Sequence, residues 1–481
     1  MKTKLKQTGL LLLALLWINI IQAQDELKQK MDQLAGEYEE TNYHGVVLTA
    51  RGKSIIAEEA FGLADQKTGK RNTISTLFKT ESTGKMFTAV AVLQLVEAGK
   101  LELQKTIIDY LPESKIKNAY KMTLHHLLTH QSGLTSPWER PDFEFKKYTN
   151  EEWWNFIETN PLAFDEPGKG IYYSSSAFEV LAAIVEKVAG TEFKDYCQEK
   201  IFTPSGMKNT YYSVDTTSYF ARGAKPYRWI GSKTYYEFPV KNLQAGGAGG
   251  WLSCAEDFYY FGLALMNEKL ISKKYLDLMM TGHIEMPPGK YGYGLEIYKD
   301  RMVQGKTVYG HNGGGRGFSC DLFFEPETQI IVVTMMNMYG NSRFVTRNFM
   351  TLAFGNEAQH PEANKRALLF DLIERKGLDD FEVNYQEYLK TIGMEKPDPF
   401  FLVGLADGFE MLDQKENQKK YLNTLKKKMP ESAVLYIHLG DIEVKENQNE
   451  KAKTYYTKAR ELAEKNEPRL LEDIDTKLKS L

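Results

Sequence analysis

The sequence predicts an α/β (α+β) protein: an antiparallel sheet flanked by helices, a mostly helical lobe, and an all-α C-terminal region. Three observations carry that expectation. Short β-branched segments stand at both ends of residues 45–335, and mainly helical or irregular sequence fills the space between them. Beyond about residue 360 the composition turns to Lys/Glu-rich helix. Strands so far apart imply a sheet joined non-locally, with the helical middle forming a second lobe. A cleft between lobes is where a ligand is expected.

The elements follow in order. Lys2, Lys4 and Lys6 precede the apolar run Leu10 to Ile21, broken only by Asn19, and small Ala23 stands before Gln24. This is the three-part layout of a secretory signal, and its apolar run is too short to span a bilayer. The expectation is export, with cleavage near Ala23 and a periplasmic or secreted mature chain. Gly45 to Ala50 and Ser54 to Glu58 read as strands around the turn Arg51-Gly52-Lys53. From Ser82 to Ala98 the apolar positions Met86, Val90, Leu93 and Val96 fall at helical spacing, and Gly99 supplies a stop. A helix from Phe178 to Val188 and another from Ala255 to Asn267 follow. Strand-like segments resume at Tyr293 to Tyr298, Asp321 to Glu325 and Gln329 to Met335, and a helix from about Ser342 to Leu352 closes this part. The aromatic run Trp138 to Trp154 has no assigned role beyond lobe packing or a cleft wall.

The tail carries a 34-residue echo. Tyr436, Leu439, Gly440, Ala452, Tyr456 and Ala459 fall where a tetratricopeptide repeat places its packing residues. A weaker copy lies at Leu402, Leu405, Ala406, Leu422, Leu425 and Pro430. An ordinary pair of helical hairpins shares the same apolar period, so both readings stand. The expected division is 1–23 signal peptide, 24–358 catalytic domain and 359–481 helical domain.

Composition narrows the function. A chain of 481 residues is about three times a typical domain of about 150, which fits one large domain with an accessory one. Lys+Arg 61 against Asp+Glu 64 gives a net charge of −3, too little positive field to draw the protein onto nucleic acid. Cys197, Cys254 and Cys320 are odd in number, include no CxxC pair, and read as small buried residues. No HExxH occurs, and adjacent His125-His126 place their rings on different helix faces. No metal and no cofactor are expected.

Three motifs bear chemistry. Ser82-Thr83-Gly84-Lys85 sets a hydroxyl at a helix start and an amine three residues on, on the same face. The helix N-terminus favours a developing alkoxide, and a desolvated lysine can serve as its base. Two other SxxK runs, Ser114 to Lys117 and Ser205 to Lys208, precede no long helix. Second, Tyr173-Ser174-Ser175 lies at the entrance to the Phe178 helix, where a tyrosine hydroxyl beside a lysine can shuttle a proton. A capped helix with a packed Tyr173 would look the same. Third, His311-Asn312-Gly313-Gly314-Gly315 lets a strand edge approach a ligand and offer backbone N–H groups to an oxyanion. No GxxxxGK[ST] phosphate loop is present. His438-Leu439-Gly440 repeats the His-x-Gly spacing, so the third motif, too, draws its weight from order and context.

Together these segments resemble the serine β-lactamase-fold family of penicillin-binding proteins, D-alanyl-D-alanine carboxypeptidases, class C β-lactamases and related esterases. The likeness covers about residues 30–355 and includes Leu127 to Leu134 (LLTHQSGL) and Ala248 to Ser253 (AGGWLS). It implies a β-lactamase/transpeptidase-like fold and an acyl-enzyme mechanism. Ser82 would attack a carbonyl with Lys85 as base, and Tyr173 would relay the proton to the leaving group. His311 would stand where many members carry the lysine of Lys-Thr-Gly. The N–H groups of Ser82 and Gly314 would hold the oxyanion, with Gly313 and Ser175 lining the substrate. Lys67-Thr68-Gly69 precedes the nucleophile, in an expected turn between strand and helix, and is not that triplet. Ser175 stands where the family usually has asparagine, which disfavours efficient β-lactam hydrolysis and leaves peptidase and esterase chemistry open. The absence of Ser-Asp-Asn and GxSxG argues against class A and α/β-hydrolase organisation.

The expected activity is therefore that of an exported serine hydrolase on a small peptide, ester or β-lactam, with the helical repeats offering a surface to a protein partner. The alternative is a non-catalytic binding or sensor protein on the same fold, docking partners through its tail.

Overall fold

The computed structural model describes residues 22, 24–137, 150–213, 216–240, 245–340 and 342–481. The signal-like segment and most of the run Trp138 to Trp154 lie outside them. The chain separates into two compact units, one of residues up to Tyr227 with Glu237–Pro361, the other of Arg228–Tyr236 with Glu362–Leu481.

In the first unit, β1 (Gly45–Arg51) and β2 (Ser54–Phe61) form a hairpin. The far end of the unit supplies β3 (Ile284–Met286), β4 (Gly289–Tyr291), β5 (Glu296–Lys299), β6 (Thr307–Gly315), β7 (Phe318–Glu325) and β8 (Ile330–Met336). They build one antiparallel sheet in the order β2-β1-β8-β7-β6-β5-β4-β3. The non-local join is β1 against β8, in register from Gly45 opposite Met336 to Arg51 opposite Ile330.

Two sequence expectations need correction. The segment expected as a strand over 293–298 is a strand only from Glu296. Lys67-Thr68-Gly69 lies in a turn between the short strands Leu63–Asp65 and Lys70–Arg71, not between strand and helix. The strand edge expected at His311 to Gly315 is part of β6, whose full length the sequence left undrawn because Gly310, Gly313, Gly314 and Gly315 dilute its β-branched signature.

Helix α1 (Lys85–Glu97) is apolar on nearly every face, and Met86 to Leu93 are fully buried. Such a helix belongs inside a domain rather than on its surface. Three further helices, α2 (Ser175–Ala189), α3 (Ala255–Met266) and α4 (Ser342–Ala353), complete the frame. Alternation along β8 shows how the sheet is covered. Ile331, Val333 and Met335 enter the large core that includes α1 and α3, while the Thr334 hydroxyl turns the other way and accepts from Thr346 of α4 at 2.8 Å. The three cysteines are free and buried.

In the second unit, helices α5 (Pro399–Met411), α6 (Lys415–Lys428), α7 (Ala433–Lys445) and α8 (Asn449–Asn466) make two hairpins. The hairpins start 34 residues apart, at Pro399 and Ala433. Leu402, Leu405, Tyr421 and Leu425 share a core with Ile230, brought in by the segment Arg228–Tyr236. Asp371 accepts the Ser232 N–H at 3.1 Å and so anchors that segment.

Candidate active site

Ser82 sits in a single 3₁₀ turn, Glu81–Gly84, that runs directly into α1. The turn is tight. Glu81 has φ +47°, and the Gly250 N–H donates to its carbonyl at 3.0 Å. Lys85 opens α1 three residues after Ser82, and its Nζ donates to Ser82 Oγ at 3.1 Å. The same nitrogen reaches Ser175 Oγ at 3.1 Å and the Ala248 carbonyl at 3.0 Å.

Burial decides the state of that amine. Lys85 is fully buried, and desolvation pushes its pKa down to about 7, with Glu179 and then Glu81 opposing. Near neutral pH a large share is therefore uncharged. A neutral amine has two N–H donors and one lone pair. The Ala248 carbonyl can only accept and Ser175 takes the second N–H, so the lone pair is free to receive the Ser82 proton. Once charged, the ammonium lies over the rings of Tyr173 and Phe178, at 5.0 and 5.6 Å from their centroids.

Tyr173 arrives on the extended segment before α2, and its hydroxyl is hydrogen-bonded to Ser82. Tyr173 as a residue is 39% exposed, yet desolvation at its hydroxyl holds the phenol above its ordinary range, the Ser82 bond only partly opposing. Tyr173 thus stays protonated at a pH where Lys85 is partly neutral. Of the two, the lysine is the group able to take a proton. The Tyr173 ring rests against His130, centroids 4.3 Å apart. His130 Nδ1 accepts the Ser174 N–H at 3.0 Å, which places the ring proton on Nε2. Ser174 in turn caps α2 by accepting the Ala177 N–H.

β6 passes beside the nucleophile turn because position 313 has no side chain. A Cβ there would stand 2.2 Å from the Thr80 carbonyl and 3.0 Å from Ser82 N. The ladder between β5 and β6 ends where Glu296 faces Gly310. Beyond it the Glu296 carboxylate accepts the Asn312 N–H, and Gly314 is exposed. His311 is buried, with Nδ1 donating to the Asn312 carbonyl at 2.5 Å, so its Nε2 accepts from the Tyr291 hydroxyl at 3.0 Å. Desolvation, then Lys85, pushes its pKa down to about 3. The imidazole is neutral and supplies no positive charge where a lysine would. Behind β6, Asn312 donates to Asp321 and to Ser342 Oγ, and Arg343 pairs with Glu296 at 2.5 Å.

The structure thus gathers Ser82, Lys85, Tyr173 and Ser175 into one hydrogen-bonded group, with Gly313 against the turn and His311 linked to it through ring contacts. Four neighbours escaped the sequence reading. Tyr291 meets the site only through the fold, and Ala248 opens the AGGWLS segment, though nothing local signals its contact with the amine. His130 lies in the LLTHQSGL segment, and Glu179 is a carboxylate on an otherwise apolar stretch of α2, a local signal that could have been noticed. Among the described residues no group of three or more His, Cys, Asp or Glu is placed to hold a metal ion.

A buried amine of lowered pKa against a serine hydroxyl, beside this sheet, is the arrangement of a serine hydrolase. Residues 24–355 match the Beta-lactamase family model. The chain is 30% identical over 318 residues to the putative penicillin-binding protein PbpX of Bacillus subtilis (strain 168), covering 65% of this chain and 75% of that one. A D-aminopeptidase of Brucella anthropi is 23% identical, covering 65% of this chain and 59% of that one. The crystal structure of a penicillin binding protein from Bacillus halodurans superposes with a TM-score of 0.59 at 26% identity, over 67% of this chain and 99% of that one. This chain belongs to the β-lactamase family.

Proposed function

We propose that the protein is an exported serine hydrolase that cleaves small peptides or esters through an acyl-enzyme on Ser82, with β-lactams a poorer substrate class. The observation that carries this reading is the 3.1 Å contact between Ser82 Oγ and a buried Lys85 amine whose pKa is brought to about 7. Ser82 Oγ attacks the carbonyl carbon and its proton passes to Lys85 Nζ. The backbone N–H groups of Ser82 and Gly314 receive the oxyanion. As the bond to the leaving group breaks, Tyr173 gives that group its proton and recovers one from the Lys85 ammonium. Water, deprotonated along the same path, then releases the acyl group and restores Ser82.

The substrate ranking rests on two features. Ser175 Oγ is engaged by Lys85 and leaves no amide for an acylamino side chain. His311, being neutral, offers no charge to a β-lactam carboxylate. The D-aminopeptidase relative supports the peptidase side of the reading. Export rests on the basic start and apolar run of residues 2–21. The tail is read as a tetratricopeptide-like surface for a protein partner, supported by hairpins that start 34 residues apart.

The test is intact-protein mass after exposure to a fluorophosphonate, comparing the mature chain with Ser82→Ala. One adduct on the native form alone is expected. Turnover of D-amino-acid peptides, short-chain esters and a chromogenic cephalosporin then ranks the substrates, and cephalosporin turnover far above the other two overturns the ranking.

A further inference from the structure

We propose that Glu179 is a positioning residue for Lys85, acting through the glycine strap 246–250; the inference rests on the Ser82–Lys85 reading above. Glu179 lies on α2 one turn beyond Ser175. Its Oε2 accepts the Gly247 N–H and its Oε1 the Ala248 N–H, both at 3.0 Å. A carboxylate taking one amide on each oxygen fixes a backbone segment in both place and direction. The segment so fixed carries the Ala248 carbonyl that accepts from Lys85 Nζ at 3.0 Å.

The strap makes two further ties across the same site. Its Gly247 carbonyl accepts from Thr88 Oγ1 of α1 at 2.6 Å, and its Gly250 N–H holds the Glu81 carbonyl beside the nucleophile. It lies close against α2, where a Cβ at 246 would stand 2.5 Å from Glu179 Oε1 and one at 247 would stand 2.1 Å from the Phe178 carbonyl. Glu179 thereby links α2, which begins with Ser175, to the base at the start of α1.

Charge follows the same route. Burial lowers the Lys85 pKa, and Glu179 followed by Glu81 are the charges that oppose it. The other titratable groups facing Lys85 are His130, His311 and Tyr173; burial keeps both imidazoles uncharged, and desolvation at its hydroxyl keeps the Tyr173 phenol protonated. Desolvation raises the Glu179 pKa as well, opposed by the Ala248 and Gly247 N–H groups and by Lys85; without the charge those groups retain, the amine would lose its proton at lower pH.

Two variants separate geometry from charge. Glu179→Gln keeps the reach but turns an NH₂ toward one of the two N–H groups and removes the charge. Glu179→Asp keeps the charge but is one methylene short of holding both amides. The measurement is the rate of fluorophosphonate adduct formation per folded molecule of the mature chain, followed by intact mass across pH. Both variants are expected to react about 10- to 100-fold more slowly, the scale of a misplacement of about 1 Å. Only Glu179→Gln is expected to move the midpoint of the acid limb to lower pH. A residue that merely held the fold together would change the yield of folded protein and neither of these readouts. Folded variants reacting at the native rate with the native midpoint overturn the inference, and if only one folds, its own rate and midpoint decide. No adduct on the native chain overturns the Ser82 reading and this inference with it, whereas a native adduct with unchanged variants overturns this inference alone.

Discussion

Ser175 Oγ lies 3.1 Å from Lys85 Nζ, so the hydroxyl one turn from Glu179 is engaged by the amine. Neither residue is exposed beyond a few percent. Ser175→Ala removes one of the three partners of a buried amine. A hydrogen bond to a charged group contributes about 1.5–3 kcal/mol, so acylation of Ser82 should slow by about tenfold or more. Stopped-flow hydrolysis of a p-nitrophenyl ester checks this, and a rate within twofold of native would show that Ser175 does not hold the base.

The pH dependence follows from the sign of one shift. Lys85 works as a base only when neutral, and its pKa is lowered to about 7. The kcat/KM for an ester should therefore rise through an acid limb centred near pH 7 and be nearly complete by pH 8. His311, lowered to about 3, adds no limb of its own in that range. Replacing His311 with glutamine should leave the midpoint near its native value, which a pH–rate profile of the two proteins compares directly.

Tyr291→Phe deletes the hydroxyl that donates to His311 Nε2, a nitrogen in a fully buried ring. An acceptor left unsatisfied in such a place costs about 1–3 kcal/mol. Thermal denaturation should show a lower melting temperature for the variant. The slowing of Ser82 labelling should be smaller than that caused by Ser175→Ala, because Tyr291 touches no proton in transit.

A cut after residue 358 removes Glu362–Leu481 but keeps Arg228–Tyr236, a segment that belongs to the same compact unit. Ile230, 4% exposed in the intact protein, would face water together with Tyr236, which packs against the same core. The truncated chain is therefore expected to hydrolyse esters measurably yet to aggregate, and Ile230→Ser within it is expected to restore solubility. Size-exclusion chromatography of both truncations distinguishes this from a tail that contributes to the core of the first unit.

Much of this protein was determined by the sequence alone, wherever information is local. The β-branched runs around Arg51-Gly52-Lys53 and after Gln329 specify strands, because alternation needs only neighbouring residues. The three-residue step from Ser82 to Lys85 places hydroxyl and amine on one helix face whatever surrounds them. Even the odd position of Ser175 could be read. The tertiary structure alone decided what these groups experience. Lys85 carries a lowered pKa because the sheet, α2 and the strap close over it, and no residue beside it in sequence encodes that desolvation. Ala248 reaches the amine across 163 residues, and Tyr291 meets His311 across 20. Glu179 acts through two amides 68 and 69 residues away. Burial and long-range hydrogen bonds are properties of the packed chain, so the identity of the candidate groups was local while their protonation and alignment were not.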